Sequence, residues 1–142
     1  LKEQAYQSKI IKAIESRGGH VINGQYTRAG EADLQCGYPV EVAKQIAHYS
    51  DYGVSYTIQV RQILIYLAVE VKTEEDYARV MKCINIITVD GVEQYQIIGE
   101  CKGLKKHEPL QIAKINSVRR KGGLALVAWS FEQVEEYVRA NT

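Results

Sequence analysis

The residues best suited to chemistry in this 142-residue chain are acids and lysines spaced for a metal-assisted reaction. Glu100 and Lys102 stand two apart, so on a strand both side chains leave one face while Cys101 points the other way. Asp33, on a separate expected strand, would add a second carboxylate. Two carboxylates suit a hard divalent cation, Mg²⁺ or Mn²⁺, which can hold a phosphate oxygen and lower the pKa of an attacking water. Lys102 would orient that water or stabilise charge on the phosphate in the transition state. The same pattern occurs at Glu70-Val71-Lys72. Taken alone, either pair reads more simply as a salt bridge on an exposed strand, worth at most about 1 kcal/mol. The surroundings must choose between them.

These groups depend on the elements that carry them. Residues 2 to 17 place Tyr6, Ile10, Ala13 and Ile14 at helical spacing, and Gly18-Gly19 supplies a stop. A short strand over His20 to Asn23 is expected to lead into a turn or loop at Asn23-Gly24, towards Gly30. Residues 31 to 37 alternate, with Ala32, Leu34 and Cys36 on one face of a strand and Glu31, Asp33 and Gln35 on the other. Pro39 is a candidate start for a helix through His48, Tyr56 to Val71 contains strand formers, and Thr73 with Asp76 suits the cap of a helix reaching Cys83. Ile84 to Val89 and Val92 to Ile98 flank Asp90-Gly91, a dipeptide fit for a type I′ hairpin whose second arm runs on to Lys102. Pro109 opens a helix through Lys121, Gly122-Gly123 ends it, and Leu124 to Trp129 reads as a strand buried on both faces. Ser130 and Gln133 form a capping-box pattern for a last helix with Phe131, Val134 and Val138 inside. Helices at both ends with strands between them predict an α/β layered domain.

The opening Lys2-Glu3-Gln4-Ala5-Tyr6-Gln7-Ser8-Lys9-Ile10-Ile11, then Gly30-Glu31-Ala32-Asp33-Leu34, then Ile97-Ile98-Gly99-Glu100-Cys101-Lys102 together resemble the VRR-NUC branch of the PD-(D/E)xK nucleases. Gln111 follows Lys102 by nine residues, and Val118-Arg119-Arg120-Lys121-Gly122-Gly123 leads into the strand 124–130, similar to that family's closing helix, paired glycines and strand. The resemblance covers residues 2–37 and about 95–140 and favours Glu100/Lys102 over Glu70/Lys72, which remains the alternative pair. It implies a restriction-endonuclease-like αβββαβ core, a mixed sheet flanked by helices, with residues 38–92 inserted. It also implies a Mg²⁺- or Mn²⁺-dependent DNA endonuclease. Asp33 and Glu100 would bind the ion with the carbonyl of Cys101 and, from the first helix, Glu3. Lys102 would be the catalytic lysine and Gln111 the glutamine of the following helix. A homodimer is expected, because one small core offers one active centre and a duplex or junction needs two cuts. The alternatives are a sequence-specific nuclease of homing or restriction type, with 38–92 reading bases, and a non-catalytic nucleic-acid-binding protein that keeps the fold.

Composition bounds these readings. With 46% apolar and 25% charged residues, the chain suits one globular domain needing neither disulfides nor a structural metal. The longest apolar run, Ile63 to Val71, is too short for a membrane helix. No secretory signal is visible, and the chain opens on Leu1 rather than a methionine, as after trimming of a few residues. Cys36, Cys83 and Cys101 have no metal or redox spacing and read as free buried thiols in a reducing, cytoplasmic setting. The net charge of +1 hides an imbalance: residues 100–121 sum to +5 and the rest to −4. Lys105, Lys106, Lys114, Arg119, Arg120 and Lys121 are thus candidate DNA-phosphate contacts, weighed against a solvated helix face or helix-dipole compensation. His20, His48 and His107 share no metal spacing. Tyr26, Tyr49, Tyr52 and Tyr56 fall in expected loops, where base stacking is conceivable.

Overall fold

The computed structural model describes residues 2–23 and 33–142. The expected turn from Gly24 to Gly30, Tyr26, and the motif residues Gly30, Glu31 and Ala32 lie outside them. In chain order the elements are α1 (Glu3–Ser16), β1 (His20–Asn23), β2 (Leu34–Ser50), β3 (Gly53–Val71), α2 (Glu74–Met81), β4 (Ile84–Val89), β5 (Val92–Ile97), α3 (Glu108–Arg120), β6 (Leu124–Ala128) and α4 (Phe131–Asn141).

The central sheet has the order β1-β2-β3-β6, antiparallel except for the parallel β3/β6 pair, so it is mixed. Its two faces are covered by different layers. Leu34, Cys36, Leu67, Val69, Val71, Leu126 and Ala128 pack with Ile10 and Ile14 of α1 and Val134 and Val138 of α4. On the other face Ala68, Ala125 and Val127 meet Ile112 and Ile115 of α3, Val80 of α2, and Ile84 and Tyr95 of the separate β4-β5 hairpin. Helices therefore flank a mixed sheet, as the α/β reading requires.

Elements set by short-range chemistry match their sequence signals. The Thr73 side chain accepts from the Asp76 amide at 3.1 Å to start α2, and Ser130 and Gln133 complete a capping box at α4. Asp90 and Gly91 both have positive φ, 51° and 78°, as a type I′ turn demands, and Gly122 at φ 87° ends α3.

Several expectations are corrected. The segment from Pro39 to His48 is strand, not helix, because β2 pairs with β3 residue for residue from Leu34↔Val69 to Ser50↔Gly53. Pro39 is tolerated there: β1 pairs only as far as Gly37, so β2 beyond it is an edge strand that need not donate on that side. Residues 38–92 include β3, the strand between β2 and β6, so much of the segment expected as an insertion is central sheet. The β5 arm stops at Ile97, and Gly99 to Lys102 is not strand. Cys83 and Cys101 form a disulfide while Cys36 stays free and buried, which corrects the reading of three free thiols. The β4-β5 hairpin brings them together by returning the chain to the end of α2, where the Ile98 amide donates to the Cys83 carbonyl at 2.8 Å. No described helix is long and apolar enough to cross a membrane.

Candidate metal centre

Asp33 occupies the bend immediately before β2 rather than the strand itself. The β2/β3 register sets Leu34 opposite Val69, which brings Asp33 alongside Glu70. Two hydrogen bonds hold the crossing: the Asp33 amide donates to Glu70 Oε2 at 3.3 Å, and the Val71 amide donates to Asp33 Oδ2 at 3.2 Å. Glu3, in the first turn of α1, reaches the same point. One carboxylate oxygen from each of Glu3, Asp33 and Glu70 lies within 4.8 Å of the others.

Lys72 follows Glu70 by two residues and leaves β3 on the same side. Its Nζ donates to Gln111 Oε1 at 3.1 Å and pairs with Glu108 Oε2 at 3.0 Å and Glu70 Oε1 at 3.8 Å. Pro109 at the start of α3 sets Glu108 and Gln111 in the turn that faces Lys72. Glu108 is buried and also binds Arg79 of α2 through both oxygens, at 2.7 and 2.9 Å, and accepts from the Lys105 amide at 2.6 Å. Burial alone would raise the Glu108 carboxyl. The bonds from Arg79, the Lys105 amide and Lys72 outweigh it and hold the group at about 2.

Glu70 and Glu3 behave in the opposite way. Burial, then the neighbouring Asp33 charge, pushes Glu70 up to about 9, and the same causes push Glu3 up to about 7. Glu70 Oε1 is buried and accepts no hydrogen bond from the described residues. Crowded carboxylates with an unsatisfied oxygen must take up protons or share a cation. The all-oxygen donor set fits a hard divalent ion, to which Glu3, Asp33 and Glu70 would be the side-chain ligands.

Asp33 and Glu3, singled out from the sequence, thus meet at one place, the Glu-x-Lys pair beside them is Glu70/Lys72, and Gln111 joins the site through Lys72. Glu100 and Lys102 are exposed in the irregular segment after β5, and Cys101 between them is engaged with Cys83. Without a strand there, the alternation expected to aim both head groups at Asp33 does not arise. Nor is Glu70-Val71-Lys72 the surface pair it first resembled, since all three residues are buried. Sequence reasoning missed Glu108 and Arg79. Glu108 beside Pro109 at a helix start was the available signal, and Arg79 had none.

The basic candidates separate. Arg119 is buried, donating to the Ala125 carbonyl at 2.7 Å and the Glu93 carbonyl at 3.2 Å, with its guanidinium 4.5 Å from the Tyr95 ring centre and 4.9 Å from that of Tyr137. It braces the fold and is no phosphate contact. Arg120 is exposed and donates to Gln94 at 3.2 Å. Lys105 and Lys106 are exposed before α3, while Lys114 and Lys121 line a groove with Gln35 and Ser117. His48 bonds Thr57 at 2.8 Å. Tyr49 and Tyr56 lie on strands rather than in loops, and Tyr52 is at the β2-β3 turn. Comparison with family models, with curated proteins and with solved structures gives no match.

Proposed function

We propose that this chain is a metal-dependent DNA endonuclease of the VRR-NUC kind, with its centre at Asp33, Glu70, Lys72 and Gln111, assisted by Glu3. The observation that carries the reading is the meeting of three carboxylates within 4.8 Å beside a buried lysine, from segments remote in sequence. Glu70-Val71-Lys72 takes over the roles that the resemblance attaches to a Glu-x-Lys tripeptide. The resemblance also implies that the strand bearing the aspartate leads after a short turn into the Glu-x-Lys strand, and β2 and β3 are joined in that way as a hairpin.

A divalent ion held by Glu3, Asp33 and Glu70 would polarise a phosphate oxygen and ease deprotonation of water. The residues of the chain supply the rest. The Glu70 carboxyl would give up its proton to hold such an ion. Glu108, itself fixed by Arg79, keeps the Lys72 ammonium beside Glu70, and Gln111 accepts a hydrogen bond from it, so the third N–H would be left to meet a phosphate oxygen or the attacking water. Water would add to phosphorus as the bond to the leaving sugar oxygen breaks; the proton released by the water would pass to solvent, and the leaving oxygen would take one from solvent.

The test is cleavage of duplex, flap and four-way-junction DNA in Mg²⁺ or Mn²⁺. Asp33→Ala and Lys72→Ala should each lower the rate at least about 100-fold, whereas Glu100→Ala and Lys102→Ala should retain it. Full activity of Lys72→Ala would overturn the assignment, and DNA affinity without turnover under all these conditions would favour the non-catalytic binding protein.

A further inference from the structure

Beyond the metal centre, β2 and β3 run on together as a two-stranded ribbon, since β1 pairs only as far as Gly37 and β6 only from Leu67. An isolated ribbon of this kind is at best marginally stable in water without a covered apolar face. Alternation and register put Tyr49 of β2 on one face with Val54, Tyr56, Ile58, Val60 and Leu64 of β3. All are exposed, Ile58 at 71%, Tyr56 at 60% and Val60 at 58%. Over 39–49 and 54–64 that face carries one charge, Glu41, while Lys44, His48 and Arg61 lie on the opposite face. The exposed apolar side chains offer an area on the order of 700 Å², close to the roughly 800 Å² that each partner buries in a standard interface.

We propose that this face is the interface between two copies of the chain, ribbon against ribbon about a two-fold axis. Along the ribbon itself a polyanion would find its cations on the other face, and a charged protein partner would find almost no charge to match. A second copy meets an equal apolar, nearly neutral surface, and stacking gives each ribbon the cover it lacks, as in a two-sheet sandwich. The interface does not rest on the nuclease reading, and Mg²⁺-dependent cleavage, scored separately, lets either fail alone.

Sedimentation of the full chain over a concentration series tests it, with Ile58→Glu on the face and Gln59→Glu, its neighbour on the opposite face. Wild type and Gln59→Glu should sediment as dimers. Ile58→Glu should be monomeric, with the dissociation constant raised at least about 30-fold, as for a central interface residue, and with an unchanged circular dichroism spectrum. Tyr56→Lys repeats the test if Ile58→Glu does not fold. A monomeric wild type, including one that binds lipid vesicles instead, or equal dimerisation of wild type and both face variants, or equal loss in Gln59→Glu, would overturn the proposal.

Discussion

At Glu70 the unfolded chain would lose its proton near pH 4.5, but burial and the neighbouring Asp33 keep it bound in the fold until about pH 9. Between those values the folded state holds more protons, so stability of the metal-free protein falls as pH rises through that window. Glu3 adds the same sign up to about pH 7. Glu108 has the opposite sign: its contribution is complete above about pH 4.5 and is lost as pH falls through about 2. Melting temperature in EDTA should therefore drop from pH 5.5 to 8.5, and Glu70→Gln should flatten the slope and melt higher at pH 8.5. Added Mg²⁺ should raise the wild-type melting temperature more at pH 8.5 than at 5.5, because a charged cluster binds the ion without first releasing protons. Equal slopes for wild type and Glu70→Gln would remove the physical basis of the proposed metal centre.

Among the elements, those read correctly from the sequence are the ones that neighbouring residues determine. Thr73, the Asp90-Gly91 pair and the Ser130/Gln133 box each satisfy or turn backbone within a few residues. The stretch from Pro39 to His48 differs because its alanines and charges suit a helix, while the partner that makes it a strand lies up to 25 residues along, at Leu64. The Cys83–Cys101 bond is likewise invisible to spacing, since it needs the β4-β5 hairpin to fold back on α2. It closes a loop with a sequence separation of 18, so reduction, or a Cys83→Ser/Cys101→Ser double variant, should cost about 3 kcal/mol in the chain-entropy account. Urea denaturation with and without reductant measures this. A shift in the double variant on adding reductant would mean that another thiol chemistry is involved.

Across the whole molecule, the basic segment that looks uniform in sequence is divided by the fold: Arg119 is locked between Tyr95 and Tyr137, while Lys114 and Lys121 line a groove on the α3 side of the sheet. A Lys114→Glu/Lys121→Glu variant should weaken DNA binding for all sequences and lower the salt slope by about 2, measured by anisotropy in a KCl series. An unchanged slope would remove the groove from the DNA path. Arg119→Ala should instead unfold at lower temperature, since it leaves the buried Ala125 carbonyl without its donor. Composition, periodicity and local motifs by themselves determined the α/β class, most of the helices and turns, and the candidacy of Asp33, while the resemblance to the VRR-NUC family implied Glu3 and Gln111. They could not decide between two Glu-x-Lys pairs, because a spacing of two is the same wherever it occurs. Tertiary structure decided it: pairing Leu34 with Val69 sets Glu70 beside Asp33, α3 brings Gln111 and Glu108 onto Lys72, and β5 ends before Glu100. Strand register and helix docking act between residues tens of positions apart, and short-range sequence patterns do not encode those distances.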